Sequence, residues 1–67
     1  MVEDFVGDLR LERDGAVAVI TLNRPDKLNP LGPNQFKGFR QILPLLEQDG
    51  QTRVVILTGA GKAFSAG

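Results

Sequence analysis

The sequence predicts an α/β unit of order β-β-α-β, and three observations carry that reading. Leu9 and Leu11 alternate with Arg10 and Glu12 ahead of an Asp14-Gly15 turn and a second apolar run, which is the pattern of a hairpin. Phe36, Phe39, Ile42, Leu43 and Leu46 then recur at spacings of three and four, as on one face of a helix. Last, Val54-Val55-Ile56-Leu57 is a buried-type strand running into a loop that carries Gly59, Gly61 and Gly67, built for close backbone approach.

Each element has its own warrant. The first strand has a wet face and a dry one, because its charged and apolar residues alternate. The run Ala16 to Leu22 is β-branched and nearly all apolar, so a strand covered on both faces is expected. Arg24-Pro25 ends it, since proline restricts the residue before it and cannot donate to a ladder. Residues 25–33 hold three prolines and a glycine, a rigid loop rather than a flexible linker. The helix is expected from Pro33, suited to a first turn, to Gln48, with Asp49-Gly50 as the stop. Pro44 should kink it by removing the bond to the Arg40 carbonyl, and Gly38 should weaken it by about 1 kcal/mol relative to alanine. Arg53 to Thr58 returns as a strand parallel to the second through a right-handed crossover.

Composition bounds the chemistry. With 67 residues, no cysteine and no histidine, the chain is at most one small domain without disulfides, Cys/His zinc sites, thiol nucleophiles or imidazole bases. Eight basic residues balance eight acidic ones, which argues against a nucleic-acid surface. The N-terminus has three acids in its first eight residues and no basic region, unlike a signal or transit peptide, so a cytoplasmic address is the default. The longest apolar run, Ala16 to Ile20, is far short of the roughly 18 to 20 residues that cross a bilayer, so no membrane partner is expected.

Familiar site motifs fail on spacing. Phe64 stands where a dinucleotide fingerprint needs its third glycine, and Ile56 and Ala63 occupy two positions a P-loop reserves for Gly and Ser/Thr. Ser65 has no histidine to activate it, with Lys62 an unproven substitute. Glu3, Asp4, Asp8, Glu12, Asp14, Glu47 and Asp49 read as solvated carboxylates in a tail, hairpin or helix end. Asp26 and Lys27 stand apart, because their loop follows the C-terminal end of the second strand, where open α/β sheets place ligands.

Two segments match a known pattern in order and at its usual distance. Ile20-Thr21-Leu22-Asn23-Arg24-Pro25-Asp26-Lys27-Leu28-Asn29-Pro30-Leu31 and, after the helix, Val54-Val55-Ile56-Leu57-Thr58-Gly59-Ala60-Gly61-Lys62-Ala63-Phe64-Ser65-Ala66-Gly67 closely resemble the N-terminal part of the crotonase superfamily, the enoyl-CoA hydratases and isomerases. The resemblance covers residues 9–67, with Pro30 and Pro44 as departures, and corresponds to roughly the first quarter of a family member.

The resemblance implies a β-β-α-β unit from the start of a crotonase-like ββα superhelix, assembled in the complete protein as a trimer or hexamer. It implies an acyl-CoA thioester as substrate and no separate cofactor. Lys27, Leu28, Lys62 and Ala66 become the candidate CoA-binding residues; for the lysines, a flexible ammonium suits a phosphate, while for Leu28 and Ala66 loop packing is an equal alternative. Gly67 falls in the oxyanion loop, the first N–H donor belonging to the residue after it, and no catalytic side chain is assigned. Residues 1–67 are thus expected to be the N-terminal, incomplete portion of a crotonase-like domain, inactive alone. The alternative is a short non-catalytic binding or assembly element built on the same unit. Hydration, isomerisation, dehalogenation, decarboxylation and thioester hydrolysis all share this region, so the reaction and acyl-chain length stay open.

Overall fold

In a computed structural model of the chain, which describes residues 2–62, 64 and 65, the strands β1 (Val2–Val6), β2 (Leu9–Asp14) and β3 (Val17–Leu22) precede the helix α1 (Pro33–Gln48) and the strand β4 (Val54–Gly59). They form one sheet of order β1-β2-β3-β4. The first three strands are an antiparallel meander, and β4 joins β3 in parallel with Val17 opposite Val54 and Leu22 opposite Gly59. The expected hairpin, helix and parallel crossover strand are all present.

One strand was not expected. Residues 2–6 were read as an acidic tail, yet they pair with β2 from Val2↔Arg13 to Val6↔Leu9. Gly7, with φ of +58°, makes the tight turn, and Val6 packs against the core. Asp8, expected to be solvated, is half-buried behind that turn.

Leu9 and Leu11 of β2, Ala18, Ile20 and Leu22 of β3, and Ile42 and Leu46 of α1 form the core. On β3 the other face is only half-buried at Val17 and Val19, so the expected cover on both faces is incomplete. The helix rests mainly on β1 and β2, and its buried positions are Gln35, Gly38, Ile42 and Leu46. That face is rotated from the one the apolar spacing suggested: Phe39 packs at its margin, whereas Phe36 and Leu43 are about half exposed. Gly38 explains the rotation. A Cβ there would lie 2.8 Å from Leu9 Cδ1 and 3.1 Å from the Val6 carbonyl oxygen, so the missing side chain lets the helix settle onto the hairpin. The local cost of that glycine is offset by packing.

Pro44 lies inside a continuous helix. Both Pro44 and Arg40 are exposed, so water can reach the carbonyl that loses its bond. Gly50, at φ +74° just past the Asp49 cap, stops the helix as a left-handed residue does. With the helix over β1 and β2, β4 is left bare: Val54, Val55, Ile56 and Leu57 are 51, 47, 47 and 45% exposed, although a buried strand was expected.

Candidate functional site

The parallel pair β3 and β4 ends on one side of the sheet, and the loops leaving the two strands meet there. After β3 the chain enters a short 3-10 turn at Pro25–Lys27, closed by the Lys27 and Asn29 N–H groups donating to the Arg24 carbonyl and by the Leu28 N–H donating to that of Pro25. Leu28 and Asn29 both adopt positive φ, 56° and 52°. Left-handed backbone costs a non-glycine residue roughly 1 kcal/mol or more, so something must hold these two.

Asn29 provides the hold. It is 1% exposed; its Oδ1 accepts from the Arg24 N–H at 2.8 Å, and its Nδ2 donates to the Ala60 carbonyl at 2.7 Å. Ser65 Oγ donates to the Asn29 carbonyl at 2.7 Å, and the Ala60 N–H donates to the Leu22 carbonyl at 2.9 Å. The glycines serve the same junction. A Cβ on Gly61, itself at φ +80°, would lie 2.7 Å from Pro25 Cβ, and a Cβ on Gly59 would collide with the backbone of Phe64. The close backbone approach foreseen for this loop is therefore made, among the described residues, by the chain's own two loops.

Charge pins the outer end of the first loop. Arg24 lies 3.5 Å from Asp8 and 3.4 Å from Asp26, and these carboxylates, Asp26 foremost, raise its pKa above the ordinary arginine value. Gln35 donates to Asp8 at 3.0 Å and accepts from the Gly32 N–H at 2.8 Å, so Asp8 ties the first hairpin turn to both the loop and the helix start. Asp26, singled out with Lys27 from the sequence, is thus a partner of Arg24.

The expected CoA-binding residues sit as follows. Lys27 and Lys62 are exposed, one on each loop, and neither joins an ion pair among the described residues. Leu28 is 47% exposed between them in chain order, which leaves its side chain accessible. Ala66, and Gly67, which was expected in the oxyanion loop, lie outside the described residues. Among the described residues no cluster of His, Cys, Asp or Glu could hold a metal ion. An open hollow of about 240 Å³ lined by Val6, Gly7, Asn34, Lys37, Gly38 and Gln41 shares no residue with either loop.

Asn29, Asp8 and Gln35 had not been singled out as site-building residues. For Asn29 the signals were its place in the loop motif from Ile20 to Leu31 and asparagine's tolerance of left-handed backbone.

A family model for enoyl-CoA hydratase/isomerase matches residues 12–67. A short-chain-enoyl-CoA hydratase of Clostridium acetobutylicum is 47% identical over 58 residues, 85% of this chain and 22% of its own length. A mitochondrial 3-hydroxyisobutyryl-CoA hydrolase of Homo sapiens is 48% identical over 68 residues, 96% of this chain and 17% of its own. Among solved structures, a monofunctional enoyl-CoA isomerase from M. smegmatis superposes with a TM-score of 0.84 at 40% identity, covering 91% of this chain and 30% of that one. The chain spans about a fifth of the curated relatives it matches. Matched over most of its length in sequence and in overall fold, the chain belongs to the enoyl-CoA hydratase/isomerase family.

Proposed function

We propose that residues 1–67 form the N-terminal part of an acyl-CoA enzyme, and that the two joined loops receive the CoA end of a thioester substrate. The single observation that carries this reading is the junction itself: two loops at the C-terminal ends of parallel strands, tied through Asn29 and Ala60, each presenting an exposed lysine without an ion-pair partner among the described residues. An ammonium on each side suits the phosphates of CoA, and exposed Leu28 supplies apolar contact. Ala66 belongs to the same proposed contact surface.

A hydratase, an isomerase and a thioester hydrolase share one requirement, charge developing on the thioester carbonyl oxygen. We assign its stabilisation to backbone N–H donors reached through the segment containing Gly67, an effect worth about 3 to 4 kcal/mol per donor in comparable sites. The acid/base groups are placed elsewhere in the complete enzyme, so the 67 residues alone are expected not to turn over an enoyl-CoA. A homotrimer or hexamer is the assembly proposed for that enzyme.

The test is alanine substitution in the complete protein. Lys27→Ala and Lys62→Ala should each weaken CoA-thioester binding by about 0.2 to 1 kcal/mol, appearing chiefly in KM, as for exposed ion pairs. A large fall in kcat at unchanged KM would overturn the assignment.

A further inference from the structure

The junction contains one group whose role extends past packing. The Asn29 carboxamide is spent in both directions, toward Arg24 in its own loop and toward Ala60 in the other, and its carbonyl takes Ser65 from further along the second loop. Lys27 precedes Asn29 by two residues and Lys62 follows Ala60 by two. One buried amide therefore stands between the backbones that carry the two exposed ammonium groups. Leu28, at φ 56° with no polar side-chain group to support that conformation, is held between Lys27 and Asn29, and strained backbone persists where its surroundings fix it.

We propose that Asn29 is a positioning residue for coenzyme A: by tying the two loops it sets the separation of Lys27 and Lys62, so that the phosphates of the ligand meet both ammonium groups in one arrangement. The inference rests on the reading of these loops as the CoA-binding end of the site. Asn29 itself touches no ligand; it acts through the loops. Aspartate in its place would accept from the Arg24 N–H but, as a carboxylate, would face the Ala60 carbonyl with no donor, leaving two acceptors opposed in a buried site.

Coenzyme A itself is the probe, titrated calorimetrically into the complete protein, with thermal stability recorded for every variant. Asn29→Asp should weaken coenzyme A binding about tenfold, and Ser65→Ala about threefold, the scale of one lost buried hydrogen bond. Positioning through the lysines also demands non-additivity. With Lys27 and Lys62 both changed to alanine, adding Asn29→Asp should cost no more than about twofold. A lower melting temperature with unchanged coenzyme A affinity overturns the proposal, as does a full tenfold loss in the lysine-free background. If Asn29→Asp does not fold, Ser65→Ala decides, and unchanged affinity in that variant overturns it. If the unsubstituted protein binds no coenzyme A, the reading of the loops fails and this inference with it; binding with no effect of either variant removes only the inference.

Discussion

Asp49 caps the end of α1 and starts the approach to β4. It accepts from Thr52 Oγ1 and from the N–H groups of Thr52 and Gln51, and Arg13 lies 3.8 Å away. Those bonds, the Thr52 hydroxyl first, lower its pKa from 3.8 to about 2. Because the folded value lies below the unfolded one, the stabilisation is complete above about pH 4 and is lost as pH falls through about 2. Thermal midpoints of the complete protein and of Asp49→Asn, followed from neutral pH downward, should therefore converge as pH approaches 2. Gly38→Ala poses a different balance. Helix propensity favours alanine by about 1 kcal/mol, but the added methyl would press on Leu9 and the Val6 carbonyl, and overpacking costs about 1 to 3 kcal/mol. Net destabilisation is expected; a raised denaturation midpoint would show that the helix has room to shift. Single residues were the scale at which sequence said least. Gly59 announced a close approach without naming Phe64 as what approaches, since the contact depends on how the loop turns back over β4. Asn29 stood in the quoted loop motif, but that its carboxamide bridges two loops depends on where the second loop returns, which no local pattern shows.

Elements were more legible. The bounds of α1 followed from local chemistry, Pro33 at its start and Asp49-Gly50 at its end, and β2, β3 and β4 followed from alternation and β-branched runs. The strand β1 escaped because Val2-Glu3-Asp4-Phe5-Val6 does not alternate cleanly between apolar and polar residues, and its pairing is a property of the neighbour it meets. The phase of the helix escaped for a related reason: apolar spacing counts large side chains, while contact with the hairpin is set by the smallest residue, Gly38. Ile42 is fully buried where the helix meets the sheet. Ile42→Ala should cost about 2 to 5 kcal/mol, read as a lower denaturant midpoint at unchanged slope. Leu43→Ala, on the exposed side, should fall within about 0.5 kcal/mol of the parent.

At the scale of the whole molecule, the fold class and family were readable because two loop motifs and the strands that bear them lie in contiguous segments. The distribution of cover was not, since a single helix can sit over either half of a sheet. It sits over β1 and β2, so β4 presents apolar residues on both faces and an unpaired edge. Such an edge invites further strands, and the 67-residue chain by itself should associate or remain partly unfolded. Sedimentation showing a monomer, together with a cooperative unfolding transition, would contradict this. Ile56→Lys should reduce the association, because a charge on an exposed apolar strand opposes edge-to-edge pairing.

The sheet's connectivity also sets an order in time. Asp14 and Val17 pair across a short turn, whereas Val17 and Val54 pair across 37 positions (54 − 17), and a distant partner must close a long loop before contact rewards it. In the 67-residue chain the meander can therefore assemble first, while β4 pairs last and, about half exposed from Val54 to Leu57, leaves first. Native-state hydrogen exchange should record that history: amides of β2, flanked by strands on both sides, should exchange most slowly, and those of β4 should open with the lowest free energy of the sheet.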